Sequence, residues 1–320
     1  MDLAQNREHK FVSAVMYLHN DAAYIDMFLS MITQELAALF DKYELIFVND
    51  ASSDDGIAKI YDFFEHTKMD SQMVSIIQMS SYQGQEAAMN AGRDLAIGDF
   101  VFEFDNLFID YPKTLIRKIY ERTLEGYDVV AASCRDGMRF TSRMFYSVFN
   151  RNSNSEGKIG PETFRVLSRR AVNRIKSIGD YIPYRKAIYM NCGLRADVIQ
   201  YHAIDIDARR KALKGRHERT HLALDSLIYF TDVMEKVSTV ISALFVVISL
   251  LMGIEIIREF FMKTQAVSGW LSTMGFMSLS FMGVFILLSI IMKYLSVILK
   301  LMYRKQRYLI AGVEKIAPKQ

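Results

Sequence analysis

The sequence predicts an α/β protein with a mostly parallel sheet, followed by two helices that cross a membrane. Three observations lead to this prediction. Short apolar runs alternate with amphipathic stretches over residues 1–230, as in a series of strands and helices. Two long apolar runs fill most of residues 237–292. The chain is 51% hydrophobic with a mean hydropathy of +0.09, and these late runs account for the excess.

Five apolar runs are predicted as strands and three segments between them as helices. The strands are 11–18, 43–50, 73–80, 99–105 and 127–133, and the helices are 22–40, 56–66 and 83–96. Continuously apolar strands separated by helices are typical of a parallel sheet covered on both faces. Ligands of such sheets bind beyond the carboxyl ends of the strands. The polar residues found there are Asn20, Asp21, Asn49, Asp50, Ser80–Gly84 and Asp105.

The loop after the second strand reads Asn-Asp-Ala-Ser-Ser-Asp-Asp-Gly over residues 49–56 and opens a helix. Asp50 can accept hydrogen bonds from a base or a ribose, whereas Ser52, Ser53 or Asp54 can cap the helix. These residues alone leave ligand binding and capping open. The sequence contains neither a G-x-G-x-x-G nor a Walker pattern, which disfavours a dinucleotide or P-loop site.

The two apolar runs, 237–257 and 269–292, are each long enough to cross a bilayer core of about 30 Å as a helix. After them, basic residues are interleaved with apolar ones, which is typical of an interfacial amphipathic helix. The positive-inside rule then places this tail, and the large domain with both termini, on the cytoplasmic side of the plasma membrane. We therefore predict a cytosolic domain over 1–215, a juxtamembrane amphipathic segment over 216–236, the two spans, and a basic amphipathic tail over 293–320.

The net charge, the cysteines and the N-terminal residues disfavour several classes of protein. A net charge of +3 gives no support for nucleic-acid binding. Cys134 and Cys192 are isolated, so they fit neither a zinc site nor a disulfide framework. The polar N-terminal residues do not resemble a signal peptide. A reducing cytosol is the simplest setting for the large domain.

Six motifs run in order through nearly the whole chain. They are "FVSAVMYLHNDAAYIDMFL" from residue 11, "YELIFVNDASSDDG" from 43, "SSYQGQEAAMNAGRDLAIGDFVFEFD" from 80, "LEGYDVVAASCRD" from 124, "FRVLSRRAV" from 164 and "YLSVILKLMYRKQRYLI" from 294. Together they resemble the membrane-bound polyisoprenyl-phosphate glycosyltransferases of family 2, relatives of dolichyl-phosphate mannose synthase with a GT-A fold. The resemblance implies transfer of a sugar from a nucleotide donor to a polyprenyl phosphate, as in cell-envelope polysaccharide modification.

The resemblance also implies roles for particular residues. The nucleotide-sugar donor would be bound by Asn20, Asp21, Asn49, Asp50, Gly84 and Gln85. The acceptor phosphate would be bound by arginines, for which a guanidinium fork is suited, and these are Arg135, Arg139 and Arg143. Asp105 and Glu162 would be the catalytic carboxylates. Mg²⁺ or Mn²⁺ would neutralise the departing diphosphate. A homo-oligomer is a further expectation from relatives.

The chain departs from the family at the metal motif, D-x-D-x-Q. Here the positions are Asp105, Leu107 and Ile109, so the second acid is a leucine, which cannot coordinate a cation. Three interpretations stay open. In the first, a reduced metal site uses Asp105 with Glu103, which shares its face of the strand, or with Asp110.

In the second interpretation, cationic side chains replace the metal, with Arg216, His217 and Arg219 as candidates by composition. In the third, the chain is a catalytically degenerate glycosyltransferase that serves as a membrane scaffold or partner subunit.

Overall fold

The structure, a computed structural model, describes residues 8–67, 72–138, 140–152, 158–178, 184–206, 208–209, 233–262, 269–303 and 308–316. The chain divides into two compact units. The first comprises Met1–Asn150, Ser155–Leu222 and Lys305–Gln320, and the second comprises Arg151–Asn154 and Ala223–Arg304. Each unit is described by itself below.

The first unit is an α/β domain built around one sheet. Its strands are β1 (Val12–Leu18), β2 (Tyr43–Asn49), β3 (Gln72–Met79), β4 (Phe100–Phe104), β5 (Val129–Cys134), β6 (Glu162–Ser168), β7 (Ala196–Tyr201) and β8 (Ile310–Ile316). Its helices are α1 (Ala22–Leu39), α2 (Gly56–His66), α3 (Gln85–Leu95), α4 (Thr114–Leu124), α5 (Phe140–Asn152), α6 (Arg169–Ile178) and α7 (Arg185–Asn191).

The described strands form a sheet in the order β7-β5-β6-β4-β1-β2-β3-β8. Strands β4, β1, β2 and β3 are mutually parallel, so their carboxyl ends lie at one edge. Every residue of β1 and β2 is buried, which explains why these strands read as mostly apolar runs. Helix α3 lies close to both strands at Gly92, where a Cβ would come within 2.3 Å of Val15 Cγ1 and 2.7 Å of Val48 Cγ2.

The five predicted strands and three predicted helices are confirmed, with bounds that shift by at most two residues. Three further strands are present. Strand β6 is antiparallel to both β4 and β5, and β7 is parallel to β5. The antiparallel β6 places Arg165 directly opposite Glu103. The sheet is therefore mostly parallel, with β6 and β8 as its antiparallel members.

The tail differs from the prediction. An amphipathic helix was expected over 293–320, but residues 310–316 form β8, which pairs with the edge strand β3. The segment in front of β8 contacts the loop after β3, because the Gln83 side chain donates to Leu309 O at 2.7 Å and accepts from Leu309 N at 2.8 Å. Main-chain hydrogen bonds to the unpaired edge of β3 account for a strand at this sequence, which exposes most of its side chains.

The second unit contains two long helices, α8 (Val233–Met262) and α9 (Trp270–Tyr303). They approach closely at Gly283, where a Cβ would lie 2.2 Å from the Phe245 ring. Among the described residues, one stretch is long and apolar enough to cross a bilayer: Gly275–Leu295 of α9, with a mean hydropathy of 2.2. Helix α8 shows a shorter apolar stretch, Lys236–Phe245. The two-span arrangement stays a prediction.

Candidate functional site

Two loops at the carboxyl edge of the sheet are joined by short polar side chains. Asn20, which follows β1 with a φ of 56°, accepts hydrogen bonds from Ser53 N at 2.8 Å and Ser53 Oγ at 3.1 Å. Asp54 accepts from Ala22 N at the start of α1 and from Gly56 N at the start of α2. Asp54 therefore binds the first backbone N–H of two helices, whose N-cap residues are Asp21 and Asp55, and it fixes the loops against each other.

The other donor-site candidates on these loops have internal partners as well. The Asn49 side chain accepts from Ser52 N at 3.0 Å and donates to Gln78 Oε1 at 2.6 Å. The Asp21 carboxylate accepts from His19 N at 3.4 Å. These contacts show how the loops are held, and the proposed contacts with a nucleotide stay predictions.

Asp50 is the centre of a third connection, to the loop after β3. Its carboxylate accepts hydrogen bonds from Gln83 N and Gly84 N, both at 2.8 Å, and from the Tyr17 hydroxyl at 3.1 Å. The side chain is fully buried, and this burial raises the pKa of Asp50 against the opposing effect of its hydrogen bonds. In this structure Asp50 organises the loops, because its oxygens are directed at the protein and away from solvent.

Asp50→Asn is expected to lower the free energy of unfolding by about 1–3 kcal/mol, since an amide nitrogen cannot accept and leaves a buried donor unpaired. The measurement is the denaturant midpoint of the purified protein. Asp26→Asn is the matched control, because Asp26 is an exposed carboxylate paired with Lys59 at 3.0 Å, and such pairs contribute about 0–1 kcal/mol. Equal midpoints for the two variants would contradict the structural role of Asp50.

The start of α3 connects this loop to Asp105. Gly84, with a φ of 87°, precedes the helix in a backbone conformation that favours glycine. Gln85, the first residue of α3, donates from Nε2 to Asp105 O at 2.8 Å. The structure therefore brings Gly84, Gln85, Asp50 and Asp105 to the same edge of the sheet.

Asp105, directly after β4, is a buried member of an ion-pair network. Arg165 of β6 donates from Nη2 to Oδ2 at 2.7 Å and from Nη1 to Oδ1 at 3.3 Å. Arg185, the first residue of α7, donates from Nη2 to Oδ1 at 2.9 Å. Both carboxylate oxygens are thus occupied by guanidinium groups.

Glu103 lies behind Asp105 on the same face of β4, as the alternation of the strand predicts. Its Oε2 accepts from Arg165 Nη1 at 2.9 Å and from Arg185 Nη1 at 2.7 Å. The Tyr189 hydroxyl donates to the same carboxylate at 2.7–2.9 Å, and Arg93 lies 4.0 Å away. The Glu103 side chain is fully buried, so it is a partner of the arginines and has no contact with solvent.

Two further carboxylates complete the network. Glu162, at the start of β6, accepts from Arg165 Nε at 3.2 Å, and no hydrogen-bond donor among the described residues reaches its buried Oε1. Glu86 accepts from Arg185 N and Nε, both at 2.9 Å. Lys186 Nζ donates to Glu162 O at 3.1 Å and lies 3.9 Å from Asp105 Oδ2.

We call this set the charge cluster. It comprises Arg93, Arg165, Arg185, Lys186, Glu86, Glu103, Asp105 and Glu162. Four cations face four carboxylates, so the cluster is neutral with all its members ionised. Burial alone would raise the pKa of Asp105, but the charges of Arg165 and Arg185 hold that pKa well below its ordinary value. The same carboxylates raise the pKa of Arg165 and Arg185 against the effect of burial.

The lowered pKa of Asp105 predicts a loss of stability in acid. A carboxyl with a depressed pKa stabilises the folded state above its unfolded pKa of about 4, and this contribution is lost as the pH falls below that value. Unfolding free energies measured between pH 7 and pH 3 should therefore fall less steeply for Asp105→Asn than for the wild type. Parallel pH profiles for the two proteins would contradict this assignment.

The possible metal ligands at the end of β4 are not arranged to bind a divalent metal ion. The predicted ligands Asp105 and Glu103 are both engaged by Arg165 and Arg185. Leu107, in the place of the second acid, is buried in the core. Within the described residues, no group of three or more His, Cys, Asp or Glu side chains is arranged to hold a metal.

The other carboxylate weighed as a metal ligand, Asp110, lies in a separate cluster. It is buried, accepts from the Tyr201 hydroxyl at 2.8 Å and forms an ion pair with Arg209. The cationic candidates Arg216, His217 and Arg219 lie outside the described residues.

The predicted acceptor arginines are partly described. Arg135 follows β5, is exposed, and donates from its side chain to Gln200 Oε1. Arg143 is an exposed residue of α5. Arg139 lies outside the described residues. The roles of all three toward a phosphate stay predictions.

The sequence interpretation missed Arg165, Arg185, Lys186 and Tyr189. One signal for Arg165 was available: a single base in the apolar run of β6 and a single acid in that of β4 predict a cross-strand pair. Arg185 and Lys186 could not be found in this way, because α7 follows residues that carry no recognised motif.

Comparisons with known proteins agree with this architecture. Residues 13–188 match the family described as Glycosyl transferase family 2. An uncharacterized glycosyltransferase of Synechocystis is 28% identical over 252 residues, covering 75% of this chain and 75% of that protein. The prophage bactoprenol glucosyl transferase homolog of Escherichia coli is 24% identical over 278 residues, covering 85% of this chain and 88% of that protein.

A solved structure is also similar. A mannosyltransferase from Pyrobaculum calidifontis, in complex with GDP-Man and Mn²⁺, superposes with a TM-score of 0.51 at 16% identity. The superposition covers 69% of this chain and 63% of that one. At this identity the likeness shows the fold alone, which is the GT-A type of α/β domain.

Proposed function

The chain belongs to glycosyl transferase family 2, and from this membership we propose that it transfers a sugar from a nucleotide-sugar donor to the phosphate of a polyprenyl lipid. The observation that supports a lipid acceptor is the length of one sequence match. The similarity to the bactoprenol glucosyl transferase homolog spans 278 residues, well beyond the family match at 13–188. It therefore includes more than the nucleotide-binding part of the fold.

The reaction joins the anomeric carbon of the sugar to an oxygen of the lipid phosphate. The bond between that carbon and the donor diphosphate breaks, and the nucleoside diphosphate leaves with the bonding electrons. The acceptor phosphate is already anionic, so no strong general base is needed to activate it. The protein must hold the two substrates in line and stabilise the negative charge of the departing diphosphate.

The donor is placed at the carboxyl edge of β1, β2 and β4. Three features support this placement: ligands bind at this edge in parallel α/β sheets, the loops there are fixed by Asn20, Asp50 and Asp54, and the charge cluster supplies cations beside them. Asn20 itself is exposed, so its side chain is accessible to a nucleotide.

In this proposal the lipid acceptor lies in a membrane, and α9 is one of the helices that cross it. The Gly275–Leu295 stretch exposes large apolar side chains, including Phe285 at 69% and Met292 at 61%. An exposed helix of this length and composition is suited to lipid. Arg135 and Arg143 are exposed cations suited to the lipid phosphate. A multi-pass anchor with a cytoplasmic catalytic domain is part of this proposal, and the basic residues after 292 support it.

The test is turnover in membranes. Membranes that contain the protein are incubated with a panel of labelled nucleotide sugars and undecaprenyl phosphate, and label is counted in the lipid extract. The proposal expects one sugar to enter the lipid fraction, and only with the phosphorylated acceptor. Undecaprenol, which lacks the phosphate, and membranes without the protein are the controls. Equal labelling with undecaprenol would refute the phosphate acceptor, and no labelling with any donor would refute lipid glycosylation.

A further inference from the structure

A metal ion that assists the departure of a diphosphate would be bound at the end of β4. In this protein, cationic side chains occupy that position. The reason is that the two possible metal ligands, the carboxylates of Glu103 and Asp105, are already neutralised by Arg165 and Arg185. Binding a divalent cation there would require breaking those ion pairs inside a buried site. Breaking a buried pair is strongly unfavourable, because it leaves charges without partners.

The second acid of a metal site could not be supplied by a small rearrangement. Leu107 is 1% exposed and packs in the hydrophobic core, and Asp110 is held by Tyr201 and Arg209. Glu162 has one buried oxygen without a donor among the described residues, but its other oxygen accepts from Arg165. The chemistry at this place is therefore that of a fixed cationic group.

Among the cations of the charge cluster, Lys186 is the most accessible to a ligand. Its side chain is 12% exposed, compared with 0% for Arg165 and 1% for Arg185. Its ammonium group has three N–H donors, and one of them is directed at Glu162 O. Its distance of 3.9 Å from Asp105 Oδ2 places it beside the carboxylate that Arg165 and Arg185 also hold.

We propose that the donor diphosphate binds this protein without a divalent cation, on Lys186 with Arg165 and Arg185 fixed behind it. The inference rests on the proposed function, since it assumes a nucleotide-sugar donor. Lys186 contacts the diphosphate, and the two guanidinium groups contribute positive charge from fixed positions. Glu103 and Asp105 are positioning residues, because they hold the arginines and do not themselves contact a metal.

The experiment measures binding of UDP and GDP to the detergent-solubilised full-length chain by calorimetry, in EDTA and in excess MnCl2. For the wild type, the Kd of the nucleotide that binds is expected to agree within about twofold between the two conditions. Lys186→Gln is expected to weaken binding in EDTA by about tenfold or more, the effect of removing a charge-assisted hydrogen bond. Lys186→Arg keeps the charge and should restore most of the affinity.

The matched control is Lys176→Gln. Lys176, like Lys186, contacts a backbone carbonyl and a carboxylate, here Asp94 O at 3.3 Å and Asp94 Oδ1 at 3.5 Å, but it lies on α6 outside the charge cluster. Its replacement should leave nucleotide binding unchanged. The thermal unfolding midpoint of each variant establishes that the compared proteins are folded.

Two results would overturn the inference alone: binding that Mn²⁺ strengthens by about tenfold or more, or a Lys186→Gln variant that binds as the wild type does. Either result would leave the nucleotide-sugar donor intact. Absence of UDP and GDP binding in both conditions would count against the proposed donor as well, so the two failures can be distinguished.

Discussion

Arg165→Gln is expected to lower the free energy of unfolding by about 3–5 kcal/mol, the effect of breaking a buried ion pair by removing one partner. Arg165 is fully buried and donates to three carboxylates, Glu103, Asp105 and Glu162. Glutamine supplies one amide group in place of the guanidinium fork and no charge. The neutral cluster would then keep an excess negative charge in the interior of the domain.

The measurement is the denaturant midpoint of the wild type and the variant. Arg170→Gln is the matched control, because Arg170 lies five residues away on α6, its side chain is 74% exposed, and its contact with Asp128 is 4.0 Å long. A surface pair of this kind contributes about 0–1 kcal/mol. If Arg165→Gln were as stable as Arg170→Gln, the charge cluster would have no part in holding β4 and β6 together.

Asp105→Asn is expected to reduce sugar transfer by about a hundredfold or more while leaving metal-free nucleotide binding nearly unchanged. The loss of transfer follows from the loss of fixed cations, since removing a preorganised charge-stabilising group costs about 10²–10³-fold in rate. An asparagine amide presents a donor to Arg165 and Arg185, which are donors themselves, so the guanidinium groups lose their fixed positions. Binding is spared because the change removes a negative charge from beside the anionic ligand.

This division between rate and affinity separates the two interpretations of Asp105. If Asp105 held a metal ion that carries the diphosphate, the variant would lose Mn²⁺-dependent nucleotide binding together with transfer. Single-turnover rates and nucleotide Kd values, measured on the same preparations, decide between them. Transfer that survives Asp105→Asn unchanged would exclude both roles for this residue.

The strands that could be predicted are those whose burial is evident from a run of apolar residues in the sequence. Strands β1 and β2 are buried on both faces, so their sequences are mostly apolar, with Ser13, Glu44 and Asn49 as the exceptions, and their bounds follow closely. Strand β8 is exposed along most of its length, and its mixed pattern suits an amphipathic helix equally well. What makes it a strand is the free edge of β3, which is separated from it by more than 200 residues of sequence.

The candidate site divides in the same way. Asn20, Asp50 and Asp105 could be predicted because each lies within two residues of the recognisable carboxyl end of a strand. Their partners could not, because an ion pair such as Arg185 with Asp105 depends on where α7 lies relative to β4. The sequence also shows that Leu107 replaces an acid, but only the surroundings of Asp105 show that arginines already satisfy the remaining carboxylate.

The position of β8 has a consequence for anyone who wishes to produce the catalytic domain alone. The strand follows α8 and α9 in the chain, yet it belongs to the sheet of the first unit. A fragment that stops before α8 would leave β3 with a row of unpaired backbone donors and acceptors, a template for pairing between molecules. Poor solubility of such a fragment would therefore reflect a missing strand, and adding residues 308–316 as a peptide offers a direct remedy.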